Sequence, residues 1–136
     1  MAKSTLKEGD IIQALQEALP AGAVVRLTPG PGSERGISDT LITWRDREYL
    51  CEIKVNDMEL DALQAEFLAN RANPILLHVD TKRFKITYFI RRKNFELITI
   101  MGLLIGALKR KCAGVWIFEF SPLQPELHRI MERALS

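Results

Sequence analysis

Cysteine and histidine are scarce in this 136-residue chain, with two of each, and their scarcity removes several chemistries at once. Cys51 and Cys112 have no metal-ligand spacing and make no disulfide framework, which reads as reduced thiols in an intracellular protein. Neither His78 nor His128 has a Cys or His close by in sequence, so a zinc site is not expected and His78 reads as an ordinary strand residue. A membrane-spanning helix needs about 20 apolar residues, and the longest apolar stretch, Leu97 to Leu108, has 12. That stretch reads as a buried helix, with a subunit interface as its alternative use, and no membrane partner is expected. Met1-Ala2-Lys3-Ser4-Thr5 leads straight into a helical pattern, so no secretory signal is expected. Missing too are a Gly-Lys-Ser/Thr phosphate loop, a dinucleotide fingerprint, a nucleophile elbow and a convincing Ser/His/Asp set.

What remains is an ordinary globular composition, 47% hydrophobic and 26% charged, long enough for one domain with a sizeable core. The net charge of +2 conceals an uneven distribution. Residues 1–80 carry 8 Lys/Arg against 13 Asp/Glu, and residues 81–112 carry 9 Lys/Arg against a single Glu. The tail, 113–136, has 2 basic and 3 acidic residues. An acidic part beside a basic part suits a polyanion held near a cation; a solvated basic face is the plain alternative.

Apolar positions Ile11, Ile12, Leu15, Ala18 and Leu19 recur at helical spacing over residues 8–19, and Pro20 and Gly22 stop that helix. Strands are expected over 23–28, 37–43 and 49–55, with a Pro/Gly-rich loop at 29–36 and a polar turn at 45–47. A helix over 60–71 presents Leu60, Leu63, Phe67 and Leu68 inward and is capped by Asn56 or Asp57. Strands at 75–79 and 84–90, joined by a tight link, precede a helix over 94–111, a strand over 115–120 and a last helix opened by Pro125. The order αβββαββαβα predicts an α/β domain spanning 1–136. Its mixed β-sheet is flanked by helices, with a core over about 8–90 and a C-terminal αβα extension over about 94–136.

Chemistry concentrates in the 49–55 strand. Side chains alternate along a strand, so Glu52 and Lys54 share a face with Leu50, while Cys51, Ile53 and Val55 take the other. The strand reads as buried on both sides, and charges there need a partner or a metal. Asp39 can bring a second carboxylate, and hard divalent cations prefer such oxygens. Glu8 falls on the inward stripe of the first helix, where the alternative role is to favour the helix dipole. Gln64 follows Leu60 by one turn, and a buried amide there needs a partner. Arg26 and Arg35 flank the 29–36 loop as phosphate contacts or as plain surface charge.

The segments Arg35-Gly36-Ile37-Ser38-Asp39, Glu52-Ile53-Lys54 and Leu60-Asp61-Ala62-Leu63-Gln64 resemble the signature of the PD-(D/E)xK nuclease superfamily. The likeness is narrower to its VRR-NUC branch, with RGxPD, then ExK, then a helix opening LxxxQ, and it covers about residues 8 to 80. Ser38 stands where the family usually has proline, a position not thought to carry chemistry. The resemblance implies a restriction-endonuclease-like fold and a Mg²⁺ or Mn²⁺ site formed by Asp39, Glu52, Glu8 and the backbone carbonyl of Ile53. It further implies that Lys54 positions the attacking water or stabilises phosphate charge, and that Gln64 orients one of them. Arg26, Arg35 and the basic 82–93 segment (Lys82, Arg83, Lys85, Arg91, Arg92, Lys93) would hold the nucleic-acid backbone. The expectation is a metal-dependent DNA endonuclease acting on junctions, flaps or nicks. The chain is similar also to small Holliday-junction resolvases, which need a homodimer, here through the 97–108 helix. A non-catalytic nucleic-acid-binding subunit that keeps the fold is the alternative.

Overall fold

Arg45 and Asp46 both adopt left-handed backbone angles, φ 49° and 66°. A two-residue turn of that kind matches the twist of an antiparallel hairpin. It folds strand β2 (Thr40–Trp44) back onto β3 (Arg47–Val55), with Trp44 opposite Arg47 and Thr40 opposite Cys51. The computed structural model describes residues 6–26, 40–112 and 115–135. Within them, β1 (Val24–Arg26), β2, β3, β4 (Pro74–Asp80), β5 (Lys85–Ile90) and β6 (Ile117–Pro122) form one mixed six-stranded sheet. The strands lie in sequence order. The β3–β4 and β5–β6 pairs are parallel and the others antiparallel. Each parallel pair is bridged by a helix, as parallel strands require: α2 (Ala62–Ala69) and α3 (Phe95–Lys111).

Helix α1 (Glu8–Ala18) packs with α3 on the sheet face that carries Cys51, Ile53 and Val55. Ile11, Ile12, Ala14 and Leu15 of α1 meet Leu97, Ile100, Met101, Leu104 and Leu108 of α3 in the larger core. The apolar stretch at 97–108 is therefore a core helix, and Phe95 (83% exposed) and Leu103 are what it leaves outside. Asn94 caps α3 by accepting the Leu97 N–H at 2.8 Å, and Lys109, Arg110 and Lys111 suit the negative end of its dipole.

The opposite face is covered by α2 and α4 (Leu123–Leu135), which pack on each other. They enclose a second, smaller core of Leu60, Ala65, Leu68, Leu76, Leu123, Leu127 and Ile130. The residues from 94 onward thus supply a sheet strand and one wall of each core. One expectation needs correction here: α2 starts at the cap Asp61, not at Asn56 or Asp57. That start turns Leu63 outward, 48% exposed, and leaves Ala65 and Leu68 as the buried positions. Among the described residues, no helix is long and apolar enough to cross a membrane.

Candidate active site

Glu52 lies in the middle of β3, on the face covered by α2 and α4, and is 1% exposed. Its cross-strand neighbour on β4 is Leu76, so an apolar wall surrounds the carboxylate on one side. Burying a carboxylate is costly unless charge and hydrogen bonds compensate it. Two groups do so. The Lys54 Nζ lies 3.3 Å from Glu52 Oε1, two residues along the same strand and therefore on the same face. The Gln64 Nε2 donates to the same oxygen at 3.2 Å. Gln64 can reach because its helix begins there. The Asp61 side chain accepts the Gln64 N–H at 2.8 Å, and Gln64 Oε1 accepts the Asp61 N–H at 3.1 Å. This reciprocal capping box fixes which end of the amide faces Glu52.

Cys51 sits back to back with this trio, fully buried on the α1 side. Burial pushes its thiol well above the ordinary value of 9.0, and the carboxylates of Glu52 and Glu8 push it further. Glu8, half-buried at the start of α1, therefore senses the same stretch of β3 from the other face, and one of its carboxylate oxygens is out of contact with solvent. Glu8 is thus turned toward β3, but on the face opposite the Glu52 carboxylate.

Asp39 and Arg35 lie outside the described residues. Thr40, which follows Asp39 in sequence, pairs with Cys51, which precedes Glu52. The basic residues are less unified than their sequence proximity suggests. Arg26 is exposed at the end of β1, on the α1 face with Val24, across the sheet from Glu52. Lys82 and Arg83 sit in the β4–β5 turn, where both backbone N–H groups donate to Asp80 Oδ1. Lys85 is committed to Glu119 of β6 at 2.6 Å. Arg91 donates to the Ala69 carbonyl at the end of α2, while Arg92 and Lys93 are exposed beyond the far end of β5. The 82–93 segment is thus two basic clusters separated by β5, about 20 Å apart at the usual rise per strand residue.

Sequence reasoning missed Asn56. It takes a left-handed conformation, φ 55°, immediately after β3. Its Oδ1 accepts from the Thr81 N–H at 2.9 Å and the Thr81 hydroxyl at 3.0 Å. Its own carbonyl lies 2.6 Å from His78 Nε2, so that nitrogen carries the proton, because a carbonyl can only accept. His78 faces the same way as Lys54, its register partner. Together they floor a cavity of about 330 Å³ roofed by residues 56–60 and by α4. Glu59 ties that roof to α4 through Arg129 (3.5 Å) and Arg133 (2.9 Å). The preference of asparagine for left-handed angles was the available signal.

Among the described residues, no group of three or more His, Cys, Asp or Glu side chains is gathered for a metal ion. The donors at hand, the Glu52 carboxylate and the Ile53 carbonyl, are oxygens, as Mg²⁺ or Mn²⁺ requires, whereas Glu8 approaches β3 from the opposite face. A full set from this chain therefore draws on Asp39. Compared with protein-family models, curated proteins and solved structures, the chain matches none.

Proposed function

We propose that the chain is a divalent-metal-dependent nuclease with a restriction-endonuclease-like fold, hydrolysing phosphodiester bonds in DNA. The observation that carries this reading is the buried Glu52 with Lys54 and Gln64 drawn onto one of its oxygens. Those are the residues the PD-(D/E)xK likeness names, gathered from two elements by chain folding. Asp39 and Glu52, with the Ile53 carbonyl, would hold Mg²⁺ or Mn²⁺, and Glu8, on the opposite face of β3, would stand outside that set. Bound there, the ion supplies Lewis-acid polarisation of a phosphate and a lowered pKa for its water.

The chain's own contribution is placement. Glu52 holds the Lys54 ammonium in the floor of the 330 Å³ cavity, where it can donate to non-bridging phosphate oxygens as negative charge develops. Gln64 keeps the Glu52 carboxylate from rotating, so its orientation is set before substrate arrives. Lys82 and Arg83 engage the backbone, which positions a polyanion without reading its bases.

The test is a cleavage panel of linear duplex, flap, nick, four-way junction and single strand, with Mg²⁺ and with Mn²⁺. Glu52→Gln, Lys54→Met and Asp39→Asn are expected to lower cleavage by about a hundredfold or more. Wild-type rates in all three variants would remove the site. A junction resolvase cuts two strands symmetrically and needs two copies; with α3 used in its own core, a flap or nick suits a single copy. Light scattering that returns only monomer rules out the resolvase form. A second reading is favoured by the way Glu52, Lys54 and Gln64 compensate one another: a binding subunit that keeps the fold. Its mark is tight binding of branched DNA with no cleavage in either metal.

A further inference from the structure

We infer that the cavity beside Lys54 takes one unpaired nucleobase of the strand being cut, so that the substrate is DNA with an unpaired nucleotide next to the scissile phosphate. This deepens the nuclease reading and rests on it. The cavity, about 330 Å³, is at the small end of ligand pockets, which run from about 300 to 1,000 Å³. Its lining is mixed: Leu60, Leu76, Phe89 and Ile130 give it an apolar wall beside the Lys54 and His78 floor, with Met58 partly exposed at its edge. A base can stack on the Phe89 ring whatever its identity, and the Met58 thioether suits contact with a ring.

Away from the Lys54 ammonium, the charges that line the cavity disfavour a second phosphate. Asp57, Glu59 and Glu126 stand there. The guanidinium of Arg129 is engaged by Glu126 and Glu59, so it is not offered to an anion. An uncharged, planar group with an apolar face and polar edges fits, and DNA carries that chemistry only in its bases. Lys54 belongs to both places: its ammonium faces Glu52, and its side chain lines the cavity. An occupant of the cavity is therefore a near neighbour of the phosphate that Lys54 contacts in the nuclease reading. A base locked in a duplex must be extruded before it can enter, whereas an unpaired base enters without that cost. Among the substrates open to the nuclease reading, this selects flaps over continuous duplex, and it adds bulges as a simple form with one unpaired base.

The probe is a labelled duplex with a single-nucleotide bulge, carrying either 2-aminopurine or an abasic residue at the bulge. Binding is measured by anisotropy, base entry by 2-aminopurine fluorescence, and cleavage separately in Mg²⁺ and Mn²⁺. Wild-type protein should bind the base-bearing probe about tenfold tighter than the abasic one, the size expected for one stacked base. Met58→Trp, at a position 44% exposed and so tolerant of a larger side chain, should fill the mouth and remove most of that difference. Met58→Ala should weaken it several-fold. Equal affinity for the two probes overturns the inference, as does a tenfold preference that survives Met58→Trp. Cleavage without base discrimination overturns the cavity assignment and leaves the nuclease standing. Base discrimination with no cleavage in either metal overturns the nuclease and assigns the cavity to a binding subunit. Neither binding nor cleavage overturns both.

Discussion

Cys51 shows how one side chain records the charges behind it. Its thiol is buried and lies in the field of two carboxylates, Glu52 behind it and Glu8 on its own side, all of which disfavour the thiolate. In the unfolded chain the same thiol ionises near 9.0, so above that pH the unfolded state holds fewer protons than the native one. Stability is then complete below about pH 9 and falls as pH rises, by about 1.4 kcal/mol per pH unit for one such group. Tyr88, raised by burial, and Tyr49, raised by burial and then by the Glu96 carboxylate, add to the decline above their ordinary 10.0. Urea unfolding should therefore show a stability loss between pH 9 and 10 that Cys51→Ala removes. An unchanged slope in that variant would mean another group titrates there. Glu52, Lys54 and Gln64 were legible in sequence, because a charge in an apolar strand and an amide on an apolar stripe each demand a partner. Asn56 was not, because its part is played by a backbone angle and by a turn 25 residues away.

Helix α2 was only half legible, for a physical reason. It has eight residues and lies on the sheet beside α4, with Leu63 turned outward and Phe67 covered by the Arg71 guanidinium at 3.9 Å. Apolar residues consequently occur on several of its sides, and periodicity cannot choose a phase. The caps settle its start instead, since Asp61 and Gln64 bond to each other's backbone N–H groups. Removing the cap tests how far this helix end serves the site. Asp61→Ala should cost about 1 kcal/mol of stability and should lower kcat more than it raises KM, because the amide that steadies Glu52 loses its anchor. A variant with the expected stability loss and wild-type kcat would confine the box to a structural role. The other elements came through in the expected order because each has a clear period or a turn: Arg45-Asp46 between β2 and β3, Asp80 before β5, Asn94 before α3.

Across the whole molecule, charge that is continuous in sequence is divided in space. Lys82 and Arg83 share an end of the sheet with Lys54, whereas Arg92 and Lys93 lie beyond the other end of β5. Replacing Lys82 and Arg83 with alanine should reduce the slope of log affinity for DNA against log salt by about 2, one for each lost phosphate contact. Replacing Arg92 and Lys93 should leave that slope near the wild-type value, and the reverse result would move the DNA to the opposite end. No reading of composition could locate the two clusters, since only the direction of β5 separates them. The strand order has a mechanical consequence as well. Because β1 to β6 lie side by side in the order of the chain, the two ends of the chain lead to opposite margins of the sheet. Once α1 and α4 have been drawn off, a pull on those ends loads β1 or β6 before any central pair, so the sheet should come apart from its margins inward, with β3 among the last strands to yield.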